Sequence, residues 1–241
     1  MLLTLLAALL QLSLIVFAHE LGHWFFAKIS GVPVISFNIG FGTKLWSVQR
    51  GGTIYALRCV PVGGYVQLAD DTLKNKSWLA RFSVVSGGAL FNVLFAWLIL
   101  YALFAARHGI LLNGVYQAFF MVCQLLKEIW RDLVLIFARG DFAALSGPVG
   151  ILTFSAAAVR QSWKVFWLFT ALLSLNLGLV NLLPFPALDG GRLIFLFYEL
   201  IFRRKPSPRW ERAAHSLGFL LLLALIIFLS FQDIGRLGAA P

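Results

Sequence analysis

The chain has 241 residues, 60 % of them hydrophobic and 12 % charged, with a mean hydropathy of +0.86. A soluble domain carries roughly a quarter charged residues, so this composition excludes one. The net charge of +10 reads as basic loops beside anionic lipid, not as a nucleic-acid surface.

Four runs contain no Asp, Glu, Lys or Arg: 1–18, 84–106, 165–188 and 216–232. A membrane-crossing helix needs about 20 mostly apolar residues. The runs and their flanks predict spans at about 1–27, 84–106, 165–188 and 213–232. The expected fold is an all-α polytopic membrane protein, read as a single domain over 1–241. The first run lacks a basic start and an A-x-A cleavage site, so it is read as a span and not a cleaved leader.

Span one carries FAHELGHWFF, residues 17–26. Ionisable groups at membrane depth are costly and mark function. His19, Glu20 and His23 fit H-E-x-x-H. On a helix, positions i and i+4 share a face, so both imidazoles can hold one metal ion. Glu20 lies beside that face, within reach of a water at the metal, and is the expected general base. Zinc suits nitrogen and oxygen ligands and acidifies water to near neutrality. Two histidines and a glutamate pairing only with each other in an apolar span would have no compensating gain.

The loop after span one, 28–81, contains KLWSVQRGGTIYALR, two strand-like segments around Gly51-Gly52, and then VPVGGYVQL. This predicts a small membrane-associated β-hairpin or sheet. Such backbone is tolerated at membrane depth only under a cover of protein or in a wet cavity.

The loop after span two, 107–164, has apolar residues at helical spacing interrupted by Lys127, Glu128, Arg131 and Asp132. It predicts an interfacial amphipathic helix; a fifth span would bury four charges. Gly and Pro in LSGPVGI (145–151) break the chain before span three.

Span three ends in NLLPFPALDGGRL. Its prolines and glycines end any regular helix near Leu183 and leave Asp189 at the break. The last loop finishes with the basic segment RRKPSPRWER.

Loops 28–81 and 189–212 hold thirteen Lys/Arg together, against seven elsewhere. The positive-inside rule puts both termini outside the cytoplasm and the two histidines in the cytoplasmic half. Glu128, Asp132, Asp141, Asp233 and His108 then lie on the wrong side to complete a metal site. Asp70, Asp71, Asp189, Glu199, Glu211 and His215 remain. Asp189 fits best by depth, with His215 second. Cys59 and Cys123 fall on opposite sides and are read as free thiols.

His19, Glu20 and His23, together with Asn181, Pro184, Leu188, Asp189 and Gly190, resemble the paired motifs H-E-x-x-H and N-x-x-P-x-x-x-L-D-G of site-2 proteases, zinc intramembrane proteases. GFGTKLW, VPVGGYVQL, SGGALFN and SGPVGI resemble the bacterial subgroup that cleaves anti-sigma factors. The resemblance implies that His19, His23 and Asp189 hold Zn2+ and that Glu20 is the base. It implies that Asn181 holds the substrate backbone or stabilises the oxyanion. Gly63, Gly64 and Tyr65 would offer a strand edge to an unwound substrate by β-augmentation. Two departures stand out. Loop 107–164 is too short for the PDZ domain of many relatives, and Arg192 replaces a histidine found in many of them.

The expected function is zinc-dependent endopeptidase cleavage within or near the membrane segments of single-span proteins, such as anti-sigma factors or signal-peptide remnants. The expected location is a bacterial inner membrane, with lipid bilayer but no nucleic acid as partner. The alternatives are a metal-ion transporter and a catalytically silent chaperone or scaffold.

Overall fold

A computed structural model describes residues 2–108, 112–142 and 145–239. The elements are α1 (Leu2–Ile29), β1 (Val34–Arg50), β2 (Thr53–Leu68), α2 (Asp70–Lys74), α3 (Trp78–His108), α4 (Leu112–Arg139), α5 (Pro148–Gln161), α6 (Trp163–Asn181), α7 (Asp189–Phe202) and α8 (Pro208–Ala239). Among the described residues, α1, α3, α6 and α8 are long and apolar enough to cross a membrane. They are the four expected spans.

Three boundaries differ from the sequence reading, and the first is the second span, which begins at Trp78 and not at 84. The third span stops at Asn181 instead of continuing to 188, and Asp189 opens a new helix. Pro184 and Pro186 have no N–H to carry the helix ladder onward. Tight turns replace it, with Leu183 N donating to Val180 O and Leu188 N to Phe185 O. The fourth span starts at Pro208 rather than 213. Proline is well tolerated in a first helical turn, where its missing N–H would have no partner anyway.

Small residues let the spans approach one another. A Cβ on Gly22 of α1 would overlap the Gly87 carbonyl of α3. A Cβ on Gly178 of α6 would lie 3.1 Å from Ala89 O of α3. In lipid, close backbone packing of this kind substitutes for a hydrophobic driving force. Leu100, Leu175, Ala96 and Ala171 form the adjoining core. α4 is the expected amphipathic helix. Its Ala118, Val122 and Ile129 join that core, while Lys127, Glu128, Arg131 and Asp132 stay exposed.

The sheet between α1 and α3 takes in VISFNIGFG as well as the two expected segments. Gly51 and Gly52, at φ 56° and 76°, make the hairpin turn. The hairpin folds over on itself, so Asn38 faces Tyr65 in one neighbouring arm and Ala56 in the other. Among the described residues, the arm 64–68 pairs with β1 alone and so keeps an outer edge. Thr53 ties the sheet to α1, accepting from Lys28 Nζ and donating to Val34 O.

α7 is fastened to α3 by Trp78 Nε1, which donates to Leu196 O, and by a two-pronged Arg81–Glu199 pair at 2.7 and 2.8 Å. At the far end of α8, the buried Asp233 accepts from Gly150 N in the first turn of α5, at 2.7 Å.

Candidate active site

His19 and His23 lie one turn apart on α1, and their Nε2 atoms are 3.2 Å apart. Asp189 Oδ2 stands 3.1 Å from His19 Nε2 and 3.2 Å from His23 Nε2. The trio is assembled by the break after α6. Ala187 takes φ 82°, and Gly191 lets α7 begin against the break, since a Cβ there would come within 2.5 Å of Phe185 O. That turn brings the first residue of α7 to the level of the second half of α1.

The donor set and spacing fit zinc. Ligands about 2.0 Å from a tetrahedral ion stand about 3.3 Å from one another. Asp189 Oδ2 is buried and accepts no hydrogen bond of good geometry from the described residues. Three lone-pair atoms turned toward one point repel each other unless a cation sits between them.

α3 supplies the outer contacts of both rings. His23 Nδ1 is 2.8 Å from Val84 O, so its proton sits on Nδ1 and leaves the Nε2 lone pair free. His19 Nδ1 is 3.3 Å from Asn92 Nδ2. Between them, a Cβ on Gly88 would lie 2.6 Å from both His19 Cε1 and His23 Nε2. Val84, Gly88 and Asn92 are spaced four apart and form one stripe of α3. The sequence reading gave none of these three a role. SGGALFN carries a resemblance only, and the four-residue spacing of Val84, Gly88 and Asn92 is the one mark of the stripe in the sequence.

Glu20 does not point into the trio's hydrogen bonds. Its Oε2 accepts from Val66 N at 2.9 Å, on the arm of β2 that keeps an outer edge. The general-base candidate and the candidate substrate strand therefore touch.

The remaining expected residues fall in different places. His215 is not among the three converging groups; its Nδ1 accepts from Ala187 N at 3.1 Å and so braces the break before Asp189. Asn181 is the last residue of α6, half-buried, and no hydrogen bond joins its side chain to another described residue. Gly63, at φ 86°, sits against Phe41, and Gly64 against Asn38 O. Tyr65 stacks on Phe41 and under the Arg58 guanidinium. Each of the three thus has a structural task in holding the arm to β1. Arg192 is exposed and lines a cavity of about 1190 Å³ with Glu199, Glu211 and His215. Cys59 and Cys123 are free thiols.

The sequence pattern of peptidase family M50 matches residues 7–225. The chain belongs to this family, that of the site-2 proteases. It is 26 % identical to a "Putative zinc metalloprotease" of Fusobacterium nucleatum, covering 97 % of this chain and 99 % of the relative. Proteins of the same description from Nostoc sp. and Helicobacter pylori are each 26 % identical, covering 96 % and 95 % of this chain and 96 % and 99 % of theirs. The Fusobacterium alignment runs over 337 positions, so at least 96 of them face a gap in this 241-residue chain. Among the described residues no PDZ domain is evident. Family and apolar helices define a multi-pass membrane metalloprotease.

Proposed function

We propose that the chain is a zinc-dependent intramembrane endopeptidase that cleaves within or near the membrane segments of single-span proteins. Anti-sigma factors and signal-peptide remnants are substrates of this kind. We further propose that it lies in a bacterial inner membrane, with both termini on the non-cytoplasmic side and the site in the cytoplasmic half. The thirteen-to-seven distribution of Lys/Arg supports that orientation.

The observation that carries the reading is the convergence of His19, His23 and Asp189 beside a glutamate that touches a strand edge. Zinc, when bound, supplies a Lewis acid and makes water acidic enough to react at neutral pH. His19, His23 and Asp189 would hold it. Glu20 takes a proton from the attacking water and returns it to the leaving amine. A helix hides its peptide bonds, so the substrate must be unwound before attack. The outer edge of residues 64–68 offers an unwound segment main-chain hydrogen bonds, and Val66 N sets that segment beside Glu20. Asn181, at the mouth of the break, is the candidate for holding the substrate backbone or the oxyanion.

Glu20→Gln tests the reading. The variant should retain zinc and lose cleavage of a co-expressed single-span substrate. Unchanged cleavage removes Glu20 as the base. Zinc uptake into proteoliposomes that depends on His19 would support a transporter instead.

A further inference from the structure

His23 and His19 differ in how α3 meets them. The His23 ring donates from Nδ1 to a carbonyl, Val84 O, at 2.8 Å. The His19 ring meets an amide nitrogen, Asn92 Nδ2, at 3.3 Å. Asn92 has no exposed surface, and its Oδ1 is buried without a partner among the described residues. Its backbone is held in place, since its carbonyl accepts from Ser174 Oγ at 2.9 Å.

Which end of the Asn92 amide meets the ring selects a tautomer. An N–H of Asn92 aimed at Nδ1 needs a lone pair there, which puts the ring proton on Nε2. Such a ring cannot also offer Nε2 to a metal. The two ends of an asparagine amide are nearly isosteric, so a half-turn about its last bond exchanges them within the same space. Oδ1 then accepts from a protonated Nδ1, as Val84 O does for His23, and Nε2 keeps its lone pair.

Resting on the zinc reading, we propose that Asn92 is a positioning residue for His19. Its amide presents the carbonyl oxygen to the ring, which fixes the proton on Nδ1 and leaves Nε2 free as a ligand. Gly88, one turn earlier on the same stripe, keeps both rings close enough to α3 for these contacts.

The test is zinc affinity in detergent, read by competition with a chelator, for the parent, Asn92→Leu and Asn92→Asp. Outer-shell partners of ligating histidines are worth about 10–100-fold in metal affinity. Asn92→Leu keeps the size and removes the acceptor, so it should bind zinc about 10–100-fold more weakly. Asn92→Asp is an acceptor whichever way it turns and should bind at least as tightly as the parent. Parental affinity in Asn92→Leu, or an equal loss in Asn92→Asp, overturns the proposal. The imidazole nitrogen-15 spectrum of the zinc-loaded parent gives a second reading that needs no variant. It should show a protonated His19 Nδ1, and an unprotonated one overturns the proposal. A parent that binds no zinc overturns the protease reading and this one with it. A parent that binds zinc while Asn92→Leu binds it equally overturns only this one.

Discussion

His19 Nε2 and Asp189 Oδ2 stand 3.1 Å apart, although one lies inside the first membrane helix and the other opens α7. Asp189 is the acid of the converging trio. Asp189→Ala should therefore lower zinc affinity by more than the roughly 10–100-fold expected for an outer hydrogen bond. Elemental analysis of the purified variant checks this, and a full zinc complement would remove Asp189 as a ligand.

Gly88→Ala should be disabling although it adds a single methyl group. The new carbon would sit 2.6 Å from His19 Cε1 and His23 Nε2. Overpacking of this kind costs about 1–3 kcal/mol, and here the rings must absorb it. The expected outcome is loss of zinc together with a lowered unfolding temperature. Retained zinc stoichiometry would show that α3 can retreat.

The Arg81–Glu199 pair gives a pH signature. The Arg81 guanidinium holds the Glu199 carboxyl below the usual carboxylate range. A depressed value means that the stabilisation is present above the ordinary glutamate pKa, about 4.3, and fades as pH falls through the folded value. Glu199→Gln should lower stability at pH 7 by about 1 kcal/mol or less, as partly exposed pairs do. Thermal unfolding of parent and variant should converge as the pH drops below ~4. A gap that persists in acid would assign the effect to packing of α7 instead.

Asp233→Ala should loosen α8 at its far end. The substitution leaves Gly150 N without its 2.7 Å partner in a buried place, which costs about 1–3 kcal/mol. Much of α8 faces outward, with Phe219, Leu220, Leu221, Phe228 and Phe231 all more than half exposed. Few other contacts can compensate. Cysteine pairs placed across α5 and α8 should cross-link more slowly in the variant, and an unchanged rate would show that the apolar contacts suffice.

Much of this architecture is legible in the chain because lipid imposes simple rules. Uncharged runs of sufficient length mark the spans. H-E-x-x-H at helical spacing puts two imidazoles and a carboxylate near one face, whatever surrounds them. Asp189 could be reached by elimination, since depth and loop charge removed most rival acids. His215 survived that elimination because sequence gives depth without direction. The structure separates the two, with His215 bracing Ala187 N and Asp189 meeting the rings.

The sequence alone determined the number of spans, the H-E-x-x-H face and the break before Asp189, because helix periodicity and the missing proline N–H are local properties. The tertiary structure decided what surrounds the rings. Val84, Gly88 and Asn92 gain their roles only where α3 crosses α1, and the contact of Glu20 with Val66 N exists only because a long hairpin folds back on itself. Those relationships depend on crossing positions and sheet register. Both are set by close packing between distant segments, which no local pattern of residues encodes.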